Sequence, residues 1–237
     1  MTKHVILNNV EHRDLKVKPA FGAAYGDDQM CTVAIPSEFR NLQADYPIFF
    51  HHNPETDEYT PMAMFGFQQY ENLFLEDDQW TATYVPLMMR RGPFLIGLQQ
   101  VAEGEERNMV ISIDLDDTRV GEEGEALFTS MGDNTDYLSS IVEIMQAIDS
   151  GQMAIREFTK VLREHDLIEP FALNVTLNNG KQHRLEGFHT IHEEKLSKLD
   201  GDTLADFSRR GILHGAYMMI ASMGNIPDLI MRKNRRD

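Results

Sequence analysis

The sequence predicts an α+β fold: a β-rich N-terminal half packed with a mainly helical C-terminal half that contains one β-hairpin at about 171–188. Three observations predict it. In the first half, apolar residues come in short or alternating runs closed by Pro, Gly and acidic turns. From Tyr137 they recur every three or four residues, the period of a helix face. Between two alternating segments, Asn179–Gly180 supplies a hairpin turn. Strands first and helices later is the α+β order.

Residues 4–10 (HVILNNV) start a short strand, and Gly22, Gly26, Asp27 and Asp28 punctuate a loop. MCTVAIP reads as a strand closed by Pro36. EFRNL follows Ser37 without a capping box, so it is a helix of a turn or two. YPIFFHH (46–52) and MAMFGF (62–67) flank the polar turn NPETDEYTP (53–61) as a hairpin. WTATYV (80–85) alternates like a half-buried strand, with Trp80, Ala82 and Tyr84 on one face. Pro86 closes it, PLMMRRGPF turns, and FLIGLQQV (94–101) and NMVISIDLDD (108–117) resume as strands.

In the second half, Leu138, Ile141, Val142, Met145 and Ile148 form one helical stripe. Gly151 interrupts it, and Ile155, Phe158, Val161 and Leu162 continue a second stripe that Pro170 stops. FALNVTL–NNG–KQHRLEGF is the hairpin, and HEEKLSKLD makes a short helix. A last helical segment runs from Asp202 through Gly211 and Gly215 to a stop at Gly224–Asn225. At this length one domain over 1–237 is expected, with a possible sub-boundary in the acidic loop 121–135.

Composition narrows the partners. A formal charge of −16 argues against nucleic acid or an anionic membrane, since either needs a basic face. Eleven Asp and Glu against Arg107 and Arg119 crowd into residues 103–136. The final MRKNRRD runs the other way and reads as a solvated, partly disordered basic tail. A single cysteine, Cys31, suits a reducing compartment, and MTKHVILNNVEHRD does not read as a secretory signal. The greasiest stretch, 212–231, contains His214, Asn225, Pro227 and Asp228 and is too polar to span a membrane. A cytoplasmic, soluble protein with no membrane insertion is expected.

Three groups of residues invite a chemical reading. Arg90–Arg91, beside Gly92–Pro93, can clamp a carboxylate or phosphate, and Trp80 and Tyr84 can offer a stacking surface. The plainer alternative puts the aromatics in the core and pairs the arginines with Asp77, Asp78 or the acidic segment. His189, His192 and Glu194 with His214 superficially match a two-histidine, one-carboxylate iron site. Glu193 and Glu194 more simply favour the positive end of a helix. Asp114, Asp116, Thr118, Glu122 and Glu125 fit the spacing of a calcium loop, but Arg119 stands where that loop needs glycine. No nucleophile elbow, P-loop or dinucleotide fingerprint is present.

Three ordered blocks then resemble one family. They are ENLFLEDDQWTATYVPLMMRRGPF, GEALFTSMGDNTDYL and the run from HRLEGFHTIHEEKLSKLDGD to MGNIPDLI. In that order they resemble the bacterial SapC family over roughly residues 20–231. The family takes its name from proteins encoded with a paracrystalline surface layer, and it is distinct from a membrane permease of the same name. The resemblance implies no agreed catalytic residue, and no cofactor is predicted outside the iron or zinc alternative.

The reading is therefore a non-catalytic binding or accessory protein, with a recognition pocket around 80–94 for an unknown small-molecule or protein partner. One alternative is an iron- or zinc-dependent enzyme using His189, His192, Glu194 and His214. A second is a structural or assembly protein of the surface layer. Oligomeric state is open.

Overall fold

The computed structural model describes residues 3–99 and 108–237. In chain order the elements begin with β1 (His4–Ile6), β2 (Lys16–Val17), β3 (Cys31–Val33), α1 (Phe39–Leu42), β4 (Ile48–Asn53) and β5 (Glu58–Met64). Next come β6 (Leu75–Glu76), β7 (Gln79–Trp80), α2 (Leu87–Arg90), β8 (Phe94–Gln99), β9 (Asn108–Asp114), β10 (Val120–Gly121) and β11 (Glu125–Ala126). The chain ends with α3 (Asp136–Glu164), β12 (Ile168–Thr176), β13 (Gln182–Ile191), α4 (Glu193–Leu196), α5 (Gly201–Arg209), α6 (Ile212–Ser222) and α7 (Ile226–Arg236). The α+β class holds. The last two residues expected in the 94–101 strand, and part of the acidic segment, lie outside the described residues.

The chain divides into two compact units. The first takes 1–27, 77–79 and 87–150, so the whole of 121–135 lies inside it. Here β1, β9 and β8 form an antiparallel sheet in that order, while β10 and β11 flank β2 in a smaller one. Ile113 pairs with Val5 on one side and with Phe94 on the other. Val17, Phe94, Ile113 and Leu127 are fully buried, and the first half of α3 adds Leu138, Ile141 and Met145 from the predicted stripe.

The second unit takes 28–76, 80–86 and 151–237. Its five-stranded sheet has the order β12-β13-β4-β5-β3. The C-terminal hairpin joins the N-terminal strands through only two registered pairs, Phe188 with His51 and His189 with Phe50. One sheet therefore draws on strands from both halves of the chain. Phe50 lies 6.2 Å from Phe158 of α3, which meets Phe39 of α1 edge-on at 5.7 Å. Gly215 of α6 sits so close that a Cβ there would be 2.8 Å from the Phe158 ring. On the opposite face, Phe49 stacks on Phe171 at 5.0 Å.

Several local expectations are corrected. Residues 81–85 are not a strand: the Thr81 N–H donates to the Phe74 carbonyl, and those of Thr83 and Tyr84 to the Asp45 carboxylate. Those bonds occupy donors that a ladder would need. Within PLMMRR, Leu87–Arg90 forms the short helix α2 rather than a turn. Gly151 does not interrupt α3, which runs unbroken for 29 residues. Pro170 lies inside β12 instead of ending the helix, and β12 is an edge strand, where a missing N–H costs no ladder bond.

Helix α6 ends at Ser222, beside the expected stop at Gly224–Asn225, but a further helix, α7, starts at Ile226 and takes in the basic tail. In α7, Lys233 is only 4% exposed and bonds Glu71 at 2.7 Å and Asp237 at 2.9 Å. Arg232 lies over the Phe74 ring at 4.4 Å, and Arg236 donates to the carbonyls of Asn72 and Leu75. Reading the tail as four solvated charges missed these partners, which are far away in sequence.

Candidate anion-binding cleft

Within the first unit, α2 ends at Arg90, and the Gly92–Pro93 peptide is cis. Arg91 turns back, donating Nη1 to the carbonyl of Phe94 at 2.8 Å. Its Nε is buried and has no hydrogen-bond partner. Burial, followed by the charge of Arg119, pulls its pKa below the usual arginine value. Arg90 is exposed. Among the described residues, neither Arg90 nor Arg91 has a carboxylate within ion-pair distance. Among the described residues, then, Arg90 and Arg91 form no ion pair with Asp77, Asp78 or the described part of the acidic segment.

Arg119 is the third guanidinium of this group. It is 6% exposed, and its Nε and Nη2 grip Asp117 at 3.0 and 2.7 Å. Nη1 is 3.9 Å from Asp27, and the guanidinium carbon is 5.1 Å from the Tyr25 ring centroid. Burial opposes the charge, but the bonds to Asp117 and the charges of Asp117 and Asp27 outweigh it and raise the pKa. Gly92 permits this packing, because a Cβ there would be 2.7 Å from Nη2 of Arg119.

Beside these groups is a cleft of about 160 Å³ lined by Arg90, Gly92, Arg119 and Tyr137, with Phe21, Met89, Ile141 and Ile144 among its apolar walls. Among the described residues, no Asp or Glu lines it. In a chain with 38 acidic and 22 basic residues, that is a locally inverted charge balance. Tyr137, at the start of α3, makes no hydrogen bond through its hydroxyl among the described residues. Burial pushes its pKa up to about 12, with Arg119 opposing and Glu125 adding, so it keeps its proton at neutral pH.

Trp80 and Tyr84 belong to the second unit. The Trp80 indole donates to the Tyr46 hydroxyl at 2.7 Å and meets Phe65 edge-on at 5.2 Å. The Tyr46 hydroxyl donates to the Tyr84 carbonyl, and Tyr84 Oη donates to buried Glu38 at 3.0 Å. Both rings are half-buried, and their polar ends are engaged within that unit.

The four residues of the metal expectation are not brought together among the described residues. His189 stands 5.5 Å from the His52 ring and 5.1 Å from the Tyr59 ring. His192 caps α4 and approaches Glu169 at 3.6 Å, Glu194 pairs with Lys198, and His214 is exposed on α6. Among the described residues, no three His, Cys, Asp or Glu side chains are grouped to hold a metal ion. The calcium-like loop is likewise spent internally: Asp114 accepts the Asp116 N–H, Asp116 accepts the Lys3 N–H, and Asp117 grips Arg119. Burial raises the Cys31 thiol pKa, away from reactivity.

A family profile described as SapC matches residues 7–229 of this chain. The chain belongs to the SapC family. The match spans both units, and all of the cleft residues lie within it. No curated protein and no solved structure matches this SapC chain. Among the described residues, no helix is long and apolar enough to cross a membrane.

Sequence reasoning reached Arg90 and Arg91 but not Arg119 or Tyr137. A signal for Arg119 existed, since a lone arginine two residues after Asp117 in an acidic run marks a local pair. Its approach to Gly92 did not show in the sequence.

Proposed function

We propose that this SapC-family chain is a non-catalytic binding or accessory protein that recognises an anionic group through Arg90, with Arg91 and Arg119 supplying the surrounding positive field. The observation that supports this most is a cleft that, among the described residues, is lined by two arginines and no carboxylate in a strongly acidic protein. An exposed guanidinium with no ion pair among the described residues keeps its donors available for a carboxylate or phosphate. The buried, partnerless Nε of Arg91 adds uncompensated positive charge nearby, which an arriving anion would relieve. Trp80 and Tyr84, whose polar atoms are engaged elsewhere, lie outside this proposal. Because the family match runs through both units, we treat them as parts of one SapC-like domain. A cytoplasmic setting fits the single cysteine.

The test is an NMR titration of the full chain with acetate, inorganic phosphate and sulfate. Saturable shifts at Arg90 and Tyr137 are expected, and Arg90→Ala should lose them without a change in melting temperature. If no anion gives a saturable shift, the reading fails.

A further inference from the structure

We propose that the cleft takes a monocarboxylate with a compact apolar body, which rests on the anion reading above and gives it a ligand class. Charge sets the first limit. Among the described residues, three guanidinium groups, at 90, 91 and 119, face three carboxylates, with Asp27 and Asp117 beside Arg119 and Glu125 acting on Tyr137. No excess of positive charge is left over to hold a second negative charge. A phosphate dianion would therefore bring one more negative charge than a carboxylate into a chain already at −16.

Donor chemistry agrees. A guanidinium presents a planar fork that matches the two oxygens of a carboxylate. Tyr137 adds a neutral hydroxyl donor with no hydrogen bond among the described residues, and its high pKa keeps it from becoming a competing anion. The walls supply the other half of the specificity. Pro19, Phe21, Met89, Ile141 and Ile144 offer hydrocarbon and aromatic surface to whatever the carboxylate is attached to. An inorganic anion would leave that surface uncovered. A carboxylic acid with a short alkyl or aromatic body would cover it and keep its charged end at Arg90.

Calorimetric titration of the full chain with acetate, propanoate, butanoate, pentanoate and inorganic phosphate separates the possibilities. Each methylene buried should raise affinity about fourfold until the cleft is full. Arg90→Ala should weaken every carboxylate by roughly ten- to a hundredfold. Tyr137→Phe should weaken them by roughly three- to tenfold, with the thermal midpoint kept. Ser140→Trp, at an exposed cleft position, should abolish the chain-length gain and leave acetate binding in place. Phosphate binding as tightly as pentanoate, or affinity flat with chain length, would overturn the monocarboxylate class and leave the anion reading standing. Binding of no anion at all would overturn both.

Discussion

Arg91 and Arg119 show how two arginines in one unit earn opposite mutational signs. Arg119 is buried with two carboxylates, so its removal strands Asp117 and Asp27. Arg119→Met is expected to cost about 3–5 kcal/mol. Arg91 has one carbonyl partner, an unsatisfied Nε and the like charge of Arg119 near it. Arg91→Met, which keeps the volume and deletes the charge, is expected to be neutral or stabilising by about 1 kcal/mol. Urea unfolding of both variants checks the contrast, and comparable losses would contradict it.

Among the elements, α3 and the seam between β13 and β4 carry the sharpest expectations. Gly151 in mid-helix costs roughly 1 kcal/mol relative to alanine by intrinsic propensity. A Cβ there, however, would stand 2.3 Å from Cγ2 of Ile35, which is 1% exposed. Overpacking of that kind costs about 1–3 kcal/mol, so Gly151→Ala is expected to lower the melting temperature. Adding Ile35→Ala should recover part of the packing loss, which a double-mutant cycle would measure.

The seam joins the hairpin to the sheet through two pairs, one of which contains His189. His189 faces His52 and Tyr59; Asp57 bonds His52 at 2.8 Å and also receives Arg163. Burial, followed by the charge of His52, depresses the His189 pKa below its ordinary value of about 6.5. The unfolded chain therefore takes up this proton more readily than the folded one. The stability associated with neutral His189 is full above the unfolded pKa and falls as pH drops through it towards the folded value. Wild type should lose more stability than His189→Phe between pH 7.5 and pH 5.5 in urea unfolding. Equal losses would remove His189 from the account.

For the chain as a whole, the C-terminal helix is the part whose sequence misled most. Deleting 231–237 would remove Lys233 from buried Glu71 and Arg236 from the Asn72 and Leu75 carbonyls. An uncompensated buried carboxylate alone costs about 3–5 kcal/mol, so the truncated chain should melt several degrees lower. A dispensable tail would leave the melting curve unchanged. The hairpin at Asn179–Gly180 was legible because turn chemistry is local: Gly180 takes φ +83° and Asn179 Oδ1 accepts the Lys181 N–H. The segment at 81–85 was not, because the Asp45 carboxylate that captures its N–H groups is nearly forty residues away.

The sequence by itself determined the α+β class, the hairpin, the apolar stripes of α3 and the family, since periodicity, turn residues and ordered motifs are properties of neighbours along the chain. It also singled out Arg90 and Arg91. Tertiary structure decided that one sheet draws on both halves, that Gly151 is a packing contact, and that the basic tail is docked. It alone placed Arg119 against Gly92 and Tyr137 in the same cleft, because the charge balance of a cavity depends on which distant side chains meet there.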